Sequence, residues 1–370
     1  DAGGGLFNGG GTVSLQNSTV SGNDSVDPGG GLYHDGDTMT VVNSTISGNA
    51  SSTAGGGLFS SNLSAVTVTD STITGNQAIY GGGVNNNGTM TLSNSSILNN
   101  SASEGAGVDN FGTLTVTDSV VSGNTGSEGG GLENAGTLSI TRTSITDNVA
   151  NYDGGGVLNY GSLSVSESTI TGNQAGGGGS GGGGGIASLS GGDATLTGNT
   201  ISGNQGRLGG GILNRGGSMI VDFSDISANQ AERGGGVEST GSLTINATSI
   251  ANNVATFEGG GIFFDLGSLQ VNASTISGNM SQDGGGISAY DSQVSVFNST
   301  ISGNSADGDG GGLIISDDGG AGTQAVIVNS TIVANRGNAA GNPTGSGGGI
   351  ITSSLPSVTQ LFNTIVAGNV

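Results

Sequence analysis

The side chains able to do chemistry are few and mostly of one kind: 27 carboxylates, one histidine, five arginines, no lysine and no cysteine. Carboxylates can pair as acid and base across a glycosidic bond, or share a hard cation such as calcium. Glycoside hydrolysis needs two or three carboxylates converging on one groove, and a lyase needs a basic residue beside a carboxylate-bound calcium. The only adjacent acidic pair is Asp317-Asp318, followed by Gly319, and the single His34 lies far from it along the chain. Asp317 and Asp318 read as turn residues in an Asp- and Gly-rich segment. His34 reads as a surface residue at a position that other repeats give to Asn or Ser. The sequence therefore predicts no catalytic residue, no cofactor-binding residue and no metal ligand, and a protein that is not an enzyme.

Two short columns of carboxylates qualify that reading. Glu104, Glu128 and Asp153, and again Glu258, Asp283 and Asp309, each stand immediately before a glycine triplet in successive repeats. Stacked about 5 Å apart, like charges repel unless something intervenes, and oxygen-only ligands suit calcium. Turn residues splayed into water are the plainer reading.

Charge narrows the partners. A formal net charge of −22, with no basic stripe, argues against nucleic acid and against an anionic membrane surface. No apolar run approaches the roughly 20 residues of a spanning helix, so membrane insertion is not expected. Without cysteine there are no disulfides and no zinc-thiolate sites. Low charge, no Lys and abundant Ser, Thr, Asn and Gly point to an extracellular or cell-surface protein. The chain opens at Asp1 without a Met or a leader, which reads as a processed or partial chain.

What must position these residues is a repeat. Fourteen times an aliphatic residue is followed three positions later by Asn, at spacings of 24 to 34 residues. The asparagines are Asn23, Asn49, Asn76, Asn100, Asn124, Asn148, Asn173, Asn204, Asn229, Asn253, Asn279, Asn304, Asn335 and Asn369. Apolar residues five and, with one exception, seven positions before each aliphatic mark give the period of two of a half-buried strand. A second strand follows each Gly triplet, and the mark itself lies on a third. Three short strands every 25 or so residues cannot bury their faces alone, but stacked they share one core. The expectation is an all-β, right-handed parallel β-helix (β-solenoid) of about 14 rungs of about 25 residues, forming one domain over 1–370. Loop excursions are expected near 176–185 and 336–349, with the rung pattern resuming after each. The asparagines should stack as a ladder, each amide donating to one rung and accepting from the other.

Gly129-Gly130-Gly131-Leu132 with the upstream Val121-Ser122-Gly123-Asn124 resembles the GGA[ILV] and FxxN repeats of chlamydial polymorphic outer membrane proteins, with Ile or Val in place of Phe. More widely the pattern is similar to the right-handed β-helix repeats of bacterial surface proteins and autotransporter adhesin passengers. The resemblance covers essentially the whole chain and implies this fold, a surface location and an adhesive role. Asp317-Asp318-Gly319 resembles one motif of polygalacturonases, whose accompanying His and Arg-x-Lys motifs have no counterpart.

Several surface features bear on partners. Phe7, Tyr33 and Phe59 occupy the first outward position after three successive glycine corners, a possible lateral contact, and Leu158, Leu213, Phe263, Ile314 and Ile351 hold the same position later. Thr89, Thr91 and Ser93, with their counterparts on the next three rungs, form a hydroxyl lattice suited to ice or glycan, or simply to an exposed strand. Neither end carries a polar cap, so a second copy placed end to end would continue the rungs. The reading that results is an extracellular structural protein that stacks head to tail into a fibre, or the stalk of a surface adhesin. Its partner is itself, with glycans or host surfaces as further partners. A carbohydrate-active lyase or hydrolase, or a passive ice- or glycan-binding module, is the alternative.

Overall fold

The computed structural model describes residues 2–176, 181–317, 319–320, 322–338, 347–353 and 356–370. Residues 177–180 of the first expected excursion, residues 339–346 of the second, and Asp318 lie outside them. The chain forms two compact units, Asp1–Gly181 and Gly182–Val370. Among the described residues there is no helix.

One coil of the first unit shows how the sequence is used. After the glycines at 129–131 comes a triplet strand, Leu132–Asn134, and then a long strand, Thr137–Thr141. A corner at Arg142, with φ of 47°, leads to a ladder strand, Ser144–Thr146. A short return strand, Val149–Ala150, carries the chain to the next triplet. Most coils add such a fourth strand to the three expected, whereas after Thr72–Thr74, Thr200–Ser202 and Thr331–Val333 isolated bridges take its place. It was illegible because its two to five residues carry no alternating pattern.

Within each unit the triplet, long and ladder strands pair in parallel and in register with their counterparts one coil on, as Leu132 with Val157, Leu138 with Leu163, Ile140 with Val165 and Ile145 with Ile170, while the return strands are less regular, with a register shift between Ala231 and Arg233. Leu132, Leu138, Ile140 and Ile145 are each 0 or 1% exposed. Burying such side chains stabilises by about 1.5–3 kcal/mol apiece, so the aliphatic columns are the main cohesive term in each coil. Among the described residues the first unit holds seven ladder strands, from Thr19–Ser21 to Thr169–Thr171.

The second unit repeats the scheme with seven ladder strands, from Thr200–Ser202 to Ile365–Ala367. In two of its coils the triplet and long strands run together as 11-residue strands, Ile262–Asn272 and Ile287–Phe297. These pair along almost their whole length. Phe264 is fully buried there, replacing the Asn or Ser that most earlier coils hold at that position, and Ala289 and Ile315 follow it in the column.

The glycine triplets are explained by close approach. Gly129 has φ of +55°, and a Cβ on Gly130 would lie 2.6 Å from the Val149 carbonyl oxygen. The triplets bond directly to one another, Gly130 N to Gly154 O and Gly131 N to Gly155 O, both at 3.0 Å. Backbones packed this closely leave little room for a side chain, and the one methyl in the middle of a triplet, that of Ala106, is fully buried.

Candidate functional site

The fourteen asparagines form hydrogen-bonded ladders. In the first unit the Nδ2 of Asn23, Asn49, Asn76, Asn100, Asn124 and Asn148 donates to Oδ1 of the next, ending on Asn173, at 2.9–3.0 Å. In the second unit the same bond links Asn204, Asn229, Asn253, Asn279, Asn304, Asn335 and Asn369 at 2.9–3.0 Å. Each accepting Oδ1 also takes the preceding asparagine's backbone N–H, as Asn124 Oδ1 does from Asn100 at 2.9 Å. The second Nδ2 hydrogen goes to the aliphatic mark one coil back, as from Asn124 to Ile97 O at 3.0 Å. Each interior amide thus makes four bonds without water.

Two further ladders were not foreseen. Asn86, Asn110, Asn134 and Asn159, on the last position of the triplet strand, are linked Nδ2 to Oδ1 at 2.8, 2.7 and 2.8 Å. Ser44, Ser71, Ser95, Ser119, Thr143 and Ser168 each accept the backbone N–H of the coil before at 3.0–3.4 Å. The signal for both was present, as Asn two positions after the triplet-strand aliphatic and Ser or Thr two positions before the mark. His34 belongs to the first of these columns. It is fully buried, with Nδ1 2.9 Å from Asn8 Nδ2, so the expectation of a surface residue is corrected: this position faces inward. Burial holds its pKa below the ordinary histidine value.

Phe7, Tyr33 and Phe59 lie in register and stack nearly parallel, with ring centroids 4.9 and 5.2 Å apart. Phe7 is 57% exposed. The same column runs on through Asn85, Asp109 and Glu133. From there the outward reading fails, because Leu158, Leu213, Phe263 and Ile314 are buried. The chain before each triplet folds over this position: a Cβ on Gly154 would sit 2.6 Å from Leu158 Cβ. Thr89, Thr91 and Ser93 are exposed or half-buried on the long strand.

That cover makes two buried acidic sites. In the first unit Asp109 is 1% and Glu133 7% exposed. Asp109 accepts from Asn85 Nδ2 at 2.9 Å, and Glu133 Oε2 has no hydrogen-bond partner. Burial, then Glu104, push Asp109 up to about 7. Burial, followed by Asp109, Glu104 and Glu128, push Glu133 up to about 8. Glu104 and Glu128 pair in register on the covering strands, and Tyr160 Oη donates to Glu128 Oε2 at 3.2 Å. In the second unit Glu238 is 4% exposed with an unpartnered Oε2, and burial pushes it up to about 7 against Arg215, Arg233 and Arg207. Arg215 Nη2 lies 4.0 Å from Glu238 Oε1, and the Arg233 guanidinium lies 5.2 Å from the Phe263 ring centroid. Glu258 accepts from Tyr290 Oη at 3.1 Å and faces Arg233 Nε at 3.5 Å. Neither Asp109, Glu133 nor Glu238 was singled out from sequence, because the column they share was read as facing outward, where acidic side chains are ordinary.

The remaining acidic candidates are turn groups. Asp317 Oδ1 accepts from the backbone amides of Gly319 and Gly320 at 2.8 and 2.6 Å. Glu258 and Asp283 form an isolated bridge, and Asp283 Oδ1 accepts the Asp309 backbone N–H at 2.8 Å. Among the described residues no group of three Asp, Glu or His side chains is already gathered at metal-ligand spacing.

Parallel coils, continuous in-register columns and amide ladders define the architecture, and a family model described as a right-handed beta helix region matches residues 3–175 and 132–297. The chain belongs to the right-handed β-helix family. No curated protein matches the sequence of this β-helix.

Proposed function

We propose that this β-helix is an extracellular structural protein, the stalk of a surface adhesin or the unit of a fibre in which copies associate with one another. One observation carries the reading: the polar residues fixed by the repeat are spent on bonds between coils, through the amide ladder Asn23 to Asn173 and its counterpart Asn204 to Asn369. Side chains committed in this way stiffen a stack and are not free for turnover. The ring stack of Phe7, Tyr33 and Phe59, exposed at Phe7 and half-buried at the other two, supports lateral contact between copies. Electron microscopy with sedimentation velocity tests it. Concentration-dependent assemblies are expected, and a species that stays monomeric at high concentration refutes self-association.

The surroundings of Glu238 favour a second reading, a carbohydrate-active enzyme. A buried carboxyl raised toward neutrality beside Arg215 and Arg233 is what a general acid requires. Incubation with acidic and neutral polysaccharides, read by reducing ends and by ultraviolet absorbance, decides it. Activity abolished by Glu238→Gln would establish this reading over the first.

A further inference from the structure

In the first unit the middle positions of four successive triplet strands hold Asn85, Asp109, Glu133 and Leu158, each at most 7% exposed. Over Asp109 and Glu133 lie the return strands Ser101–Glu104 and Thr125–Glu128. The fit is close. A Cβ on Gly105, next after Glu104, would meet Asp109 Cβ at 2.6 Å, and one on Gly129 would meet Glu133 Cβ at 2.7 Å. These covering strands and the glycine corners that end them keep water from the two carboxyls.

Among the described residues the charged groups that act on this pair are all acidic. Asp109 faces Glu104 and accepts from Asn85 Nδ2. Glu133 faces Asp109, Glu104 and Glu128, with the Gly105 backbone amide as its donor. Glu104 faces Glu128, and Tyr160, which stands near Glu133 and Asp153, donates its hydroxyl to Glu128. The only Arg or Lys in Asp1–Gly181 is Arg142, which pairs with Asp118 at 2.7 Å on an exposed corner. Burial first, and then the neighbouring carboxylates, keep Asp109 protonated up to about pH 7 and Glu133 up to about pH 8. Glu133 Oε2, buried without a hydrogen-bond partner, has nothing to solvate it once charged.

The covering strands are also the part of these coils held by least apolar burial. Their sequences, Ser-Ala-Ser-Glu and Thr-Gly-Ser-Glu, carry no apolar side chain larger than that of Ala102. The long and ladder strands of the same coil bury Leu114, Val116 and Val121 completely. Segments with little apolar burial open at the lowest cost.

We propose that Ser101–Glu104 and Thr125–Glu128 form a proton-held clasp, closed while Asp109 and Glu133 carry protons and released when mild alkali ionises them. Open, both carboxyls meet water and regain ordinary acidity; closed, they hold their protons more tightly, so protons favour the closed form. That advantage is complete below the ordinary values of 3.8 and 4.5 and is lost as pH rises to about 7 for Asp109 and about 8 for Glu133. Release lays bare an acidic patch while the aliphatic columns of the long and ladder strands stay packed.

Hydrogen exchange of the full chain, read by mass spectrometry at pH 6 and pH 8 and corrected for the intrinsic pH dependence of exchange, tests the clasp. Between these values the open-to-closed ratio should rise at least about 100-fold over 101–104 and 125–128, and not in the long strand Thr113–Thr117. With Asp109→Asn and Glu133→Gln combined, the rise should vanish and both strands stay protected at pH 8. Asn85 shows that an amide fits this column. Should that variant fail to fold, Glu104→Gln, on a partly exposed arm, should reduce the rise at least several-fold. Equal protection at the two pH values, a rise shared by Thr113–Thr117, or a rise unchanged by the substitutions overturns the clasp.

Discussion

Replacing Asn124 by Ala removes one rung from a ladder whose every bond is known. Its Oδ1 accepts Asn100 N at 2.9 Å and Asn100 Nδ2 at 3.0 Å, and its Nδ2 donates to Asn148 Oδ1 at 2.9 Å, Ile97 O at 3.0 Å and, more weakly, Ser122 O at 3.2 Å. After truncation Asn148 Oδ1 still accepts the Asn124 backbone N–H at 3.0 Å. The Asn100 N–H, one Asn100 amide hydrogen and the Ile97 carbonyl lose this partner inside a buried column. Each orphaned group costs about 1–3 kcal/mol, and a water entering the vacated space recovers part of that, so the expected loss is about 2–6 kcal/mol. Asn43→Gly is the control. Asn43 is exposed, bonds Asn17 across coils at 2.6 Å, and has φ of 47°, which Gly adopts freely, so the loss should be about 0.5 kcal/mol. Stacked repeats need not melt in one step, so urea unfolding by circular dichroism should be paired with hydrogen exchange over coils 97–124 and 121–148. An Asn124→Ala loss below 1 kcal/mol, or one equal to the control, refutes the claim that the amides hold the coils together.

Glu238 gives a pH prediction. Its folded pKa, about 7, lies above the ordinary value of 4.5, so the folded state holds the proton more tightly. Its contribution is therefore complete below about pH 4.5, declines as pH rises to about 7, and is flat above. Glu238→Gln should remove that slope and stabilise the protein at pH 8 by on the order of 3 kcal/mol, and matched pH-stability curves that do not converge at low pH would contradict the assignment. Gly130→Ala places a methyl 2.6 Å from the Val149 carbonyl oxygen and should cost at least about 2 kcal/mol or prevent folding, whereas Gly10→Ala, with nothing within 4 Å, should change the urea midpoint little. Replacing Phe7, Tyr33 and Phe59 together by Ser should shift sedimentation toward monomer with the circular dichroism unchanged, and retained assembly would remove the ring stack from the interface.

The coil architecture was legible because its cause is periodic. The aliphatic marks from Val20 to Val366 and the glycines before each triplet strand recur with the same inward face, and the Asn ladder follows from stacking them. Reading failed where a position's environment depends on how chain elsewhere folds over it. Leu158 and Glu133 share a column with exposed Phe7, yet both are buried because the covering turn closes over them. His34 misled for a related reason: its column is polar, and polarity suggested the surface, although these polar groups satisfy one another inside. Asp109, Glu133 and Glu238 carry no motif, and only the covering strands turn them from ordinary acids into buried ones.

The amide ladders also have a direction. Within each unit the Asn-to-Asn bond always runs from Nδ2 to the Oδ1 of the next coil, the other Nδ2 hydrogen returning to the backbone of the coil before, and in the first unit the Asn86 to Asn159 series runs the same way. Amide dipoles summed head to tail leave one face of such a unit donor-rich and the other acceptor-rich, as in a helix. An amide arriving at the donor face must present oxygen, and one arriving at the opposite face must present hydrogen, while the strand edges at both faces offer N–H and C=O alike. Growth by adding like pieces would therefore be vectorial, with leading and trailing sides that are chemically unlike.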